Sequence, residues 1–204
     1  LGDNQENAAR SCKVLLAARP GIPSALYWID PNGGNTGDAT QRWCDMTTDG
    51  GGWTRCRHIT TNENAPVNYL RACRGFGAQQ AMFKIYDTAA GVSGADHEPV
   101  YIVKISGTID DAFNMTERNN SWRINESAGW NLSKIGGTSN ETKPNAIWID
   151  YGPSNSKAEM WLGGLGNQGW CYRAIYSTHG ERARQQYRDG SWRDDEATEI
   201  FWRE

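Results

Sequence analysis

Trp43-Cys44-Asp45-Met46-Thr47-Thr48-Asp49-Gly50-Gly51-Gly52-Trp53-Thr54 is the stretch on which the reading of the fold turns. A strand that ends in a cysteine runs into a polar turn, and three successive glycines let the backbone take positive φ there. A tryptophan then carries the chain into a core. Upstream lies a second ordered passage, Tyr27-Trp28-Ile29-Asp30-Pro31-Asn32-Gly33-Gly34, a short apolar strand running into an Asn/Gly-rich loop. These two passages predict strands over Leu26–Ile29, Thr40–Met46 and Trp53–Cys56. A structured loop from Asp30 to Asp38 joins the first two.

Further out, residues 1–7 read as a loose polar lead-in from an upstream stalk. Ala8 to Ala18 predicts a short helix with Val14, Leu15 and Leu16 on its apolar face, stopped by Pro20-Gly21-Ile22-Pro23. A second short helix is expected over Pro66–Arg74, and strands over Ala81–Tyr86, Val100–Ile105 and Ala146–Ile149. Trp161 to Trp170 reads as a glycine-rich loop, and Ile200-Phe201-Trp202 as the strand that closes the fold.

Composition agrees with such a fold. Hydrophobic residues make up 38% of the 204, against 23 Gly and 10 Trp, and mean hydropathy is -0.72. Few aliphatic side chains and many aromatics imply short strands, long loops and a tryptophan-filled interior rather than a helical bundle. Net charge is -3, from 21 basic and 24 acidic residues. The arginines at 182, 184, 188 and 193 alternate with acids, so no basic stripe offers itself to nucleic acid. No apolar run approaches the roughly 18 residues of a membrane span. Five cysteines without a Cys-x-x-Cys pair, and three scattered histidines, argue for disulfides and an oxidising compartment rather than zinc.

The segment from Ser11-Cys12-Lys13 through Thr54 resembles two families. Cys44-Asp45-Met46 together with Thr48-Asp49-Gly50-Gly51-Gly52-Trp53-Thr54 is similar to fibrinogen-related domains, including ficolins and intelectins. Tyr27-Trp28-Ile29-Asp30-Pro31-Asn32 is similar to the C-propeptides of fibrillar procollagens. Glu199-Ile200-Phe201-Trp202-Arg203 is similar to the closing strand of intelectin-like members. The resemblance implies an α+β fibrinogen C-terminal-like domain, with a disulfide-tied N-terminal subdomain over 8–58 and a larger β-rich recognition portion over 59–204. It also implies a Cys12–Cys44 disulfide. Cys56–Cys73 is the next pairing considered, which leaves Cys171 over.

Asp30, Asn32 and Asp38 space oxygen-bearing side chains along one loop, and Gly33 and Asn35 can add backbone carbonyls. Such a set suits calcium, which takes 6–8 oxygens, although an ion-free Asn/Asp/Gly turn accounts for the same residues. The five positions match a loop with which procollagen C-propeptides hold calcium at a trimer interface. Where Asn35 stands, those propeptides often carry a cysteine, so the interchain bridge it makes there is absent here. Calcium in this loop is expected to be structural.

The C-terminal third holds the candidate ligand site. Trp170, Tyr172, Tyr176, His179, Tyr187 and Trp192 lie close together in sequence, with Glu181 among them. Aromatic platforms flanked by hydrogen-bonding side chains suit the C–H faces and hydroxyls of sugars. For any single one of these aromatics core packing is the favoured reading, because aliphatic content is low and something must fill the interior. Asn114, Asn119, Asn125, Asn131 and Asn140 each begin an Asn-x-Ser/Thr sequon.

Catalysis finds no motif: there is no His-Glu-x-x-His, Gly-x-Ser-x-Gly or phosphate-cradling loop. The expected function is therefore non-enzymatic and extracellular. The reading is a homotrimeric fibre-tip adhesin that binds cell-surface carbohydrate, as comparable domains do at the tips of some bacterial fibres. A trimerisation module that registers chains and has no ligand of its own is the alternative.

Overall fold

The computed structural model describes residues 1–59, 77–87, 98–99, 101–107, 122–125, 131–137, 146–151, 158–165, 170–177, 181–186 and 192–204. Side chains are described within 1–58, 77–84, 86, 98–99, 102–107, 131–137 and 199–204. The expected helix over 66–74 lies outside these residues.

The architecture is mostly antiparallel sheet. Among the described residues one α-helix, α1 (Cys12–Ala18), stands among twelve strands: β1 Ala25–Ile29, β2 Thr40–Asp45, β3 Trp53–Ile59, β4 Gln80–Asp87, β5 Tyr101–Ser106, β6 Trp122–Asn125, β7 Asn131–Gly136, β8 Ala146–Tyr151, β9 Ala158–Leu165, β10 Trp170–Ser177, β11 Glu181–Gln186 and β12 Trp192–Arg203. The order is β1-β2-β3-β12-β11-β10-β9-β8-β6, with β4, β5 and β7 continuing from the other side of β12.

The last strand is thus central. The first half of β12 pairs with β11 and the second half with β3 on the same edge, while β4 runs along the opposite edge from Glu196 to Arg203. Ile200, Phe201 and Trp202 are fully buried. An unbroken apolar run is what a strand covered on both faces requires.

The N-terminal part is built as its sequence suggests. Ser11 caps α1, its hydroxyl accepting from the Val14 amide at 3.2 Å. Of the three expected apolar residues only Leu15 is fully buried, and Val14 is exposed. Cys12 and Cys44 are joined, with Cα atoms 5.5 Å apart, which clamps α1 onto β2. The Cys12 amide also donates to Thr54 Oγ1 on β3 at 3.0 Å. Ala9, Leu15, Tyr27, Ile29 and Met46 pack around the bridge.

The triple glycine behaves as predicted. Gly50, Gly51 and Gly52 all have positive φ. A Cβ on Gly51 would run into the Met46 carbonyl, and one on Gly52 would press on the Lys13 backbone. Trp53 then enters the interior fully buried, its indole N–H donating to the Thr48 carbonyl at 2.8 Å.

Three expectations need correcting or extending. Residues 1–7 are not loose: the Gly2 carbonyl accepts from the Trp28 amide, and Arg19 reaches both the Leu1 carbonyl and Asp3. The span from Thr108 to Ser156, polar and with 146–149 as its clearest expected strand, also holds β6 and β7. The passage from Trp161 to Trp170 is not one loop, because Trp161–Leu165 completes β9 and Trp170 opens β10. Gly163 sits in that strand between Ala146 and Cys171, and the β9–β10 register shifts beside it. Glycine inside a strand commonly marks such an irregularity, not a turn.

Replacing Cys12 and Cys44 together by alanine is expected to lower stability by about 2–5 kcal/mol. Denaturant unfolding of the oxidised protein against the double variant measures this. An unchanged midpoint would mean that α1 is held by packing alone.

Candidate functional site

The loop from β1 to β2 gathers the predicted calcium residues. Asp30 is buried at the end of β1, and its carboxylate Oδ1 accepts from the Gly33 amide at 3.1 Å. Gly33 and Gly34 have φ of 68° and 91°, which reverse the chain over Asp30. The Asn32 amide donates to Asp38 Oδ2 at 2.9 Å, so these two side chains already meet across the loop. Asn35 is used differently: its side-chain oxygen caps the Gly37 amide, and its backbone carbonyl accepts from the Asp38 amide. Gln5 ties the loop to the N-terminal segment through the Gly37 carbonyl at 3.0 Å.

This is an all-oxygen loop with two carboxylates, which suits a hard cation. Among the described residues no three His, Cys, Asp or Glu side chains converge on one point. An ion here would therefore depend on amide and carbonyl oxygens from Asn32, Gly33 and Asn35 as well as on Asp30 and Asp38. Low ligand charge places such a site in the weak class of extracellular calcium modules, with Kd of about 10⁻⁴–10⁻³ M.

β2, β3, β4 and β12 carry charged residues that the sequence reading left unassigned. Lys84 Nζ meets Asp45 Oδ2 at 2.6 Å, with both groups largely buried. Arg55 meets Glu199 Oε1 at 2.6 Å, and the Tyr86 hydroxyl donates to Glu199 Oε2 at 2.6 Å. Each cation also lies against an aromatic ring: Arg55 is 5.8 Å from the Trp43 centroid, Lys84 5.4 Å from Phe201 and Arg203 3.9 Å from Trp53. A third acid, Asp49, takes Lys104 at 2.7 Å and Arg203 at 3.0 Å, and Arg203 also donates to the Asp49 and Gly51 carbonyls. The glycine turn is thus bolted to the closing strand. Asp49 itself has φ of 48°, a conformation that aspartate tolerates better than most residues.

Burial works against ionising Asp45, but Lys84 and the Thr48 amide outweigh it and hold the carboxyl at about 2. Burial, followed by the neighbouring Glu199, pushes the Tyr86 hydroxyl well above its ordinary range. The sequence did hold a signal for these groups. Lys84 interrupts Ala81-Met82-Phe83, and Glu199 precedes Ile200-Phe201-Trp202. A charge set in an apolar strand needs a partner.

The expected glycan residues are distributed over three neighbouring strands. Trp170, Tyr172 and Tyr176 stand on β10, Glu181 opens β11 and Trp192 opens β12. The register sets Tyr172 opposite Gln185, and Tyr176 opposite Arg182. His179 and Tyr187 lie outside the described residues. Cys56 is in a disulfide whose partner lies outside the described side chains.

Residues 2–73 match the family model of the fibrillar collagen C-terminal domain. The collagen alpha-2(I) chain of Oncorhynchus mykiss is 36% identical over 69 residues, which are 34% of this chain and 5% of that one. The collagen alpha-2(I) chain of Oryctolagus cuniculus is 44% identical over 45 residues, 22% of this chain and 9% of that one. The aligned stretches are therefore less than a tenth of these relatives' length. Among solved structures, the fibrinogen-like globe domain of human ANGPTL6 aligns over 94% of both chains, with a TM-score of 0.41 and 13% identity.

The depressed Asp45 makes an acid limb testable. Its ionised form is favoured by folding, so this stability is complete above about pH 4 and is lost as pH falls through about 2. The share is about 2 kcal/mol. Asp45→Asn should abolish that limb, and at neutral pH it should cost about 3–5 kcal/mol by stranding Lys84. Denaturation midpoints across this range measure both effects.

Proposed function

We propose that this chain is an extracellular chain-association module, in which the loop from Asp30 to Asp38 holds a structural calcium ion and three copies assemble into a homotrimer. The observation that carries the reading is the match to the fibrillar collagen C-terminal domain over 2–73. That span contains the loop, the Cys12–Cys44 clamp and the glycine turn together. The loop adds chemical support, because its oxygens are held at the exposed end of a clamped β1–β2 pair, where a neighbouring copy has access to them.

The carbohydrate-binding adhesin remains the other reading. Its support is the aromatic content of β10, β11 and β12 and of the residues between them in sequence. The same assembly serves either purpose, since three weak sites on one head gain avidity without new contacts. A non-enzymatic role agrees with both readings.

Light scattering of the purified protein with millimolar calcium and with chelator tests assembly. A trimer that dissociates in chelator, and an Asp38→Asn variant that needs at least ~10-fold more calcium to assemble, are the expected results. A monomer under every condition would remove the proposal. A calcium-indifferent trimer would keep the assembly and remove the ion. A glycan array on the same samples decides whether the second reading adds anything.

A further inference from the structure

We infer that Asn131 carries an N-linked glycan and that this glycan shields the open end of the β7 edge. Among the described residues β7 pairs with β5 alone, and no described strand runs along its other edge. Such an edge invites pairing with another chain, and folded proteins guard it with lysines, bulges or a covering group. On β7 the first two lie toward one end. Lys134 stands near that end, and the register against β5 shifts between Lys134 and Gly136. The segment Asn131-Leu132-Ser133 has neither, and it is a sequon.

The fold suits the modification there. Asn131 is exposed and Leu132 is 1% exposed, so alternation along the strand turns Asn131 and Ser133 to the face away from Leu132. Asn131 stands opposite Ser106, and Ser106 lines a groove together with Leu16, Ala17, Gln79, Gln80 and Arg203. Asn114, Asn119 and Asn140 lie outside the described residues, and Asn125 is described in its backbone only, at the end of β6.

The chemistry is a glycosyl transfer from a lipid-pyrophosphate-linked oligosaccharide. Asn131 Nδ2 forms a bond to the anomeric carbon and gives up one proton. The bond from that carbon to the pyrophosphate oxygen breaks, and the lipid pyrophosphate leaves with the electron pair. The inference rests on the extracellular reading. A heterologous leader would therefore be used to export the protein from eukaryotic cells, so that export itself is not under test.

Site-resolved mass spectrometry after enzymatic deglycosylation in heavy-oxygen water should show Asn131 converted to Asp with the label. Asn131→Gln and Ser133→Ala should each remove that glycan alone. An unlabelled, intact Asn131 peptide from exported, folded protein would overturn the assignment. For the shielding role, light scattering against concentration is compared for protein carrying the Asn131 glycan and for Asn131→Gln. Greater association of the variant, by several-fold, is expected. Equal association would overturn the shielding while leaving the modification in place.

Discussion

The placement of Ile200-Phe201-Trp202 in the middle of the sheet is the constraint on which the other elements depend. Three fully buried side chains in a row, at the far end of the chain, can be covered on both faces only if other strands flank them. β3 comes from the first third of the sequence, and β4 pairs with β12 over eight residue positions. Neither has a complete sheet without β12. Contacts of such sequence separation pay loop-closure entropy before they return any stabilisation. The N-terminal unit of α1, β1 and β2 is closed locally by its disulfide, whereas Trp53 and Met82 have an apolar neighbour in Phe201 only once the last strand has arrived.

That central strand also explains why charges are tolerated inside. Glu199 is buried beside an apolar run, at a position where an isolated carboxylate would be very costly. Arg55 from β3 and Tyr86 from β4 both reach it, so the acid marks the point at which β12 must meet the two strands on its opposite edges. Lys84 does the same for β2, through Asp45. A register slip of one residue would turn these groups to the wrong face and leave them unpaired. The ion pairs add little net energy over apolar packing. Their value lies in penalising every other alignment of four strands drawn from distant parts of the chain.

The N-terminal unit was legible in the sequence because its signals are local. Proline and glycine bound α1, three glycines name their own turn, and the Asn/Asp/Gly loop is written within nine consecutive positions. The closing strand was legible as a strand but not as the centre of the sheet, because partner choice is a property of contacts more than a hundred residues apart. β9 was misread for a related reason. Gly163 and Gly164 argue for a turn when taken alone, and only pairing with β8 and β10 on either side holds them extended. The charged network was half visible, since Lys84 and Glu199 break apolar strands, but the identity of each partner is set by register. The glycan residues were chosen by aromatic content, which cannot separate a platform from a core, and strand positions do not separate them either.

The two ends of the sheet then have different physical needs. The β1 end is anchored by the disulfide and by the segment from Gly2 to Ala9, which bonds to Trp28 and Asp30 and so occupies part of the outer edge of β1. There, the polar loop from Asp30 to Asp38 is the accessible feature. The Asn32 side-chain amide already donates to Asp38 across it. In the proposed assembly a divalent ion would replace that weak donor with a full charge and draw in carbonyls that a side-chain amide cannot gather. In that proposed assembly, stripping the cation would act on the loop before the core, because Asn32, Asn35 and Asp38 are exposed whereas Asp45 and Glu199 are buried.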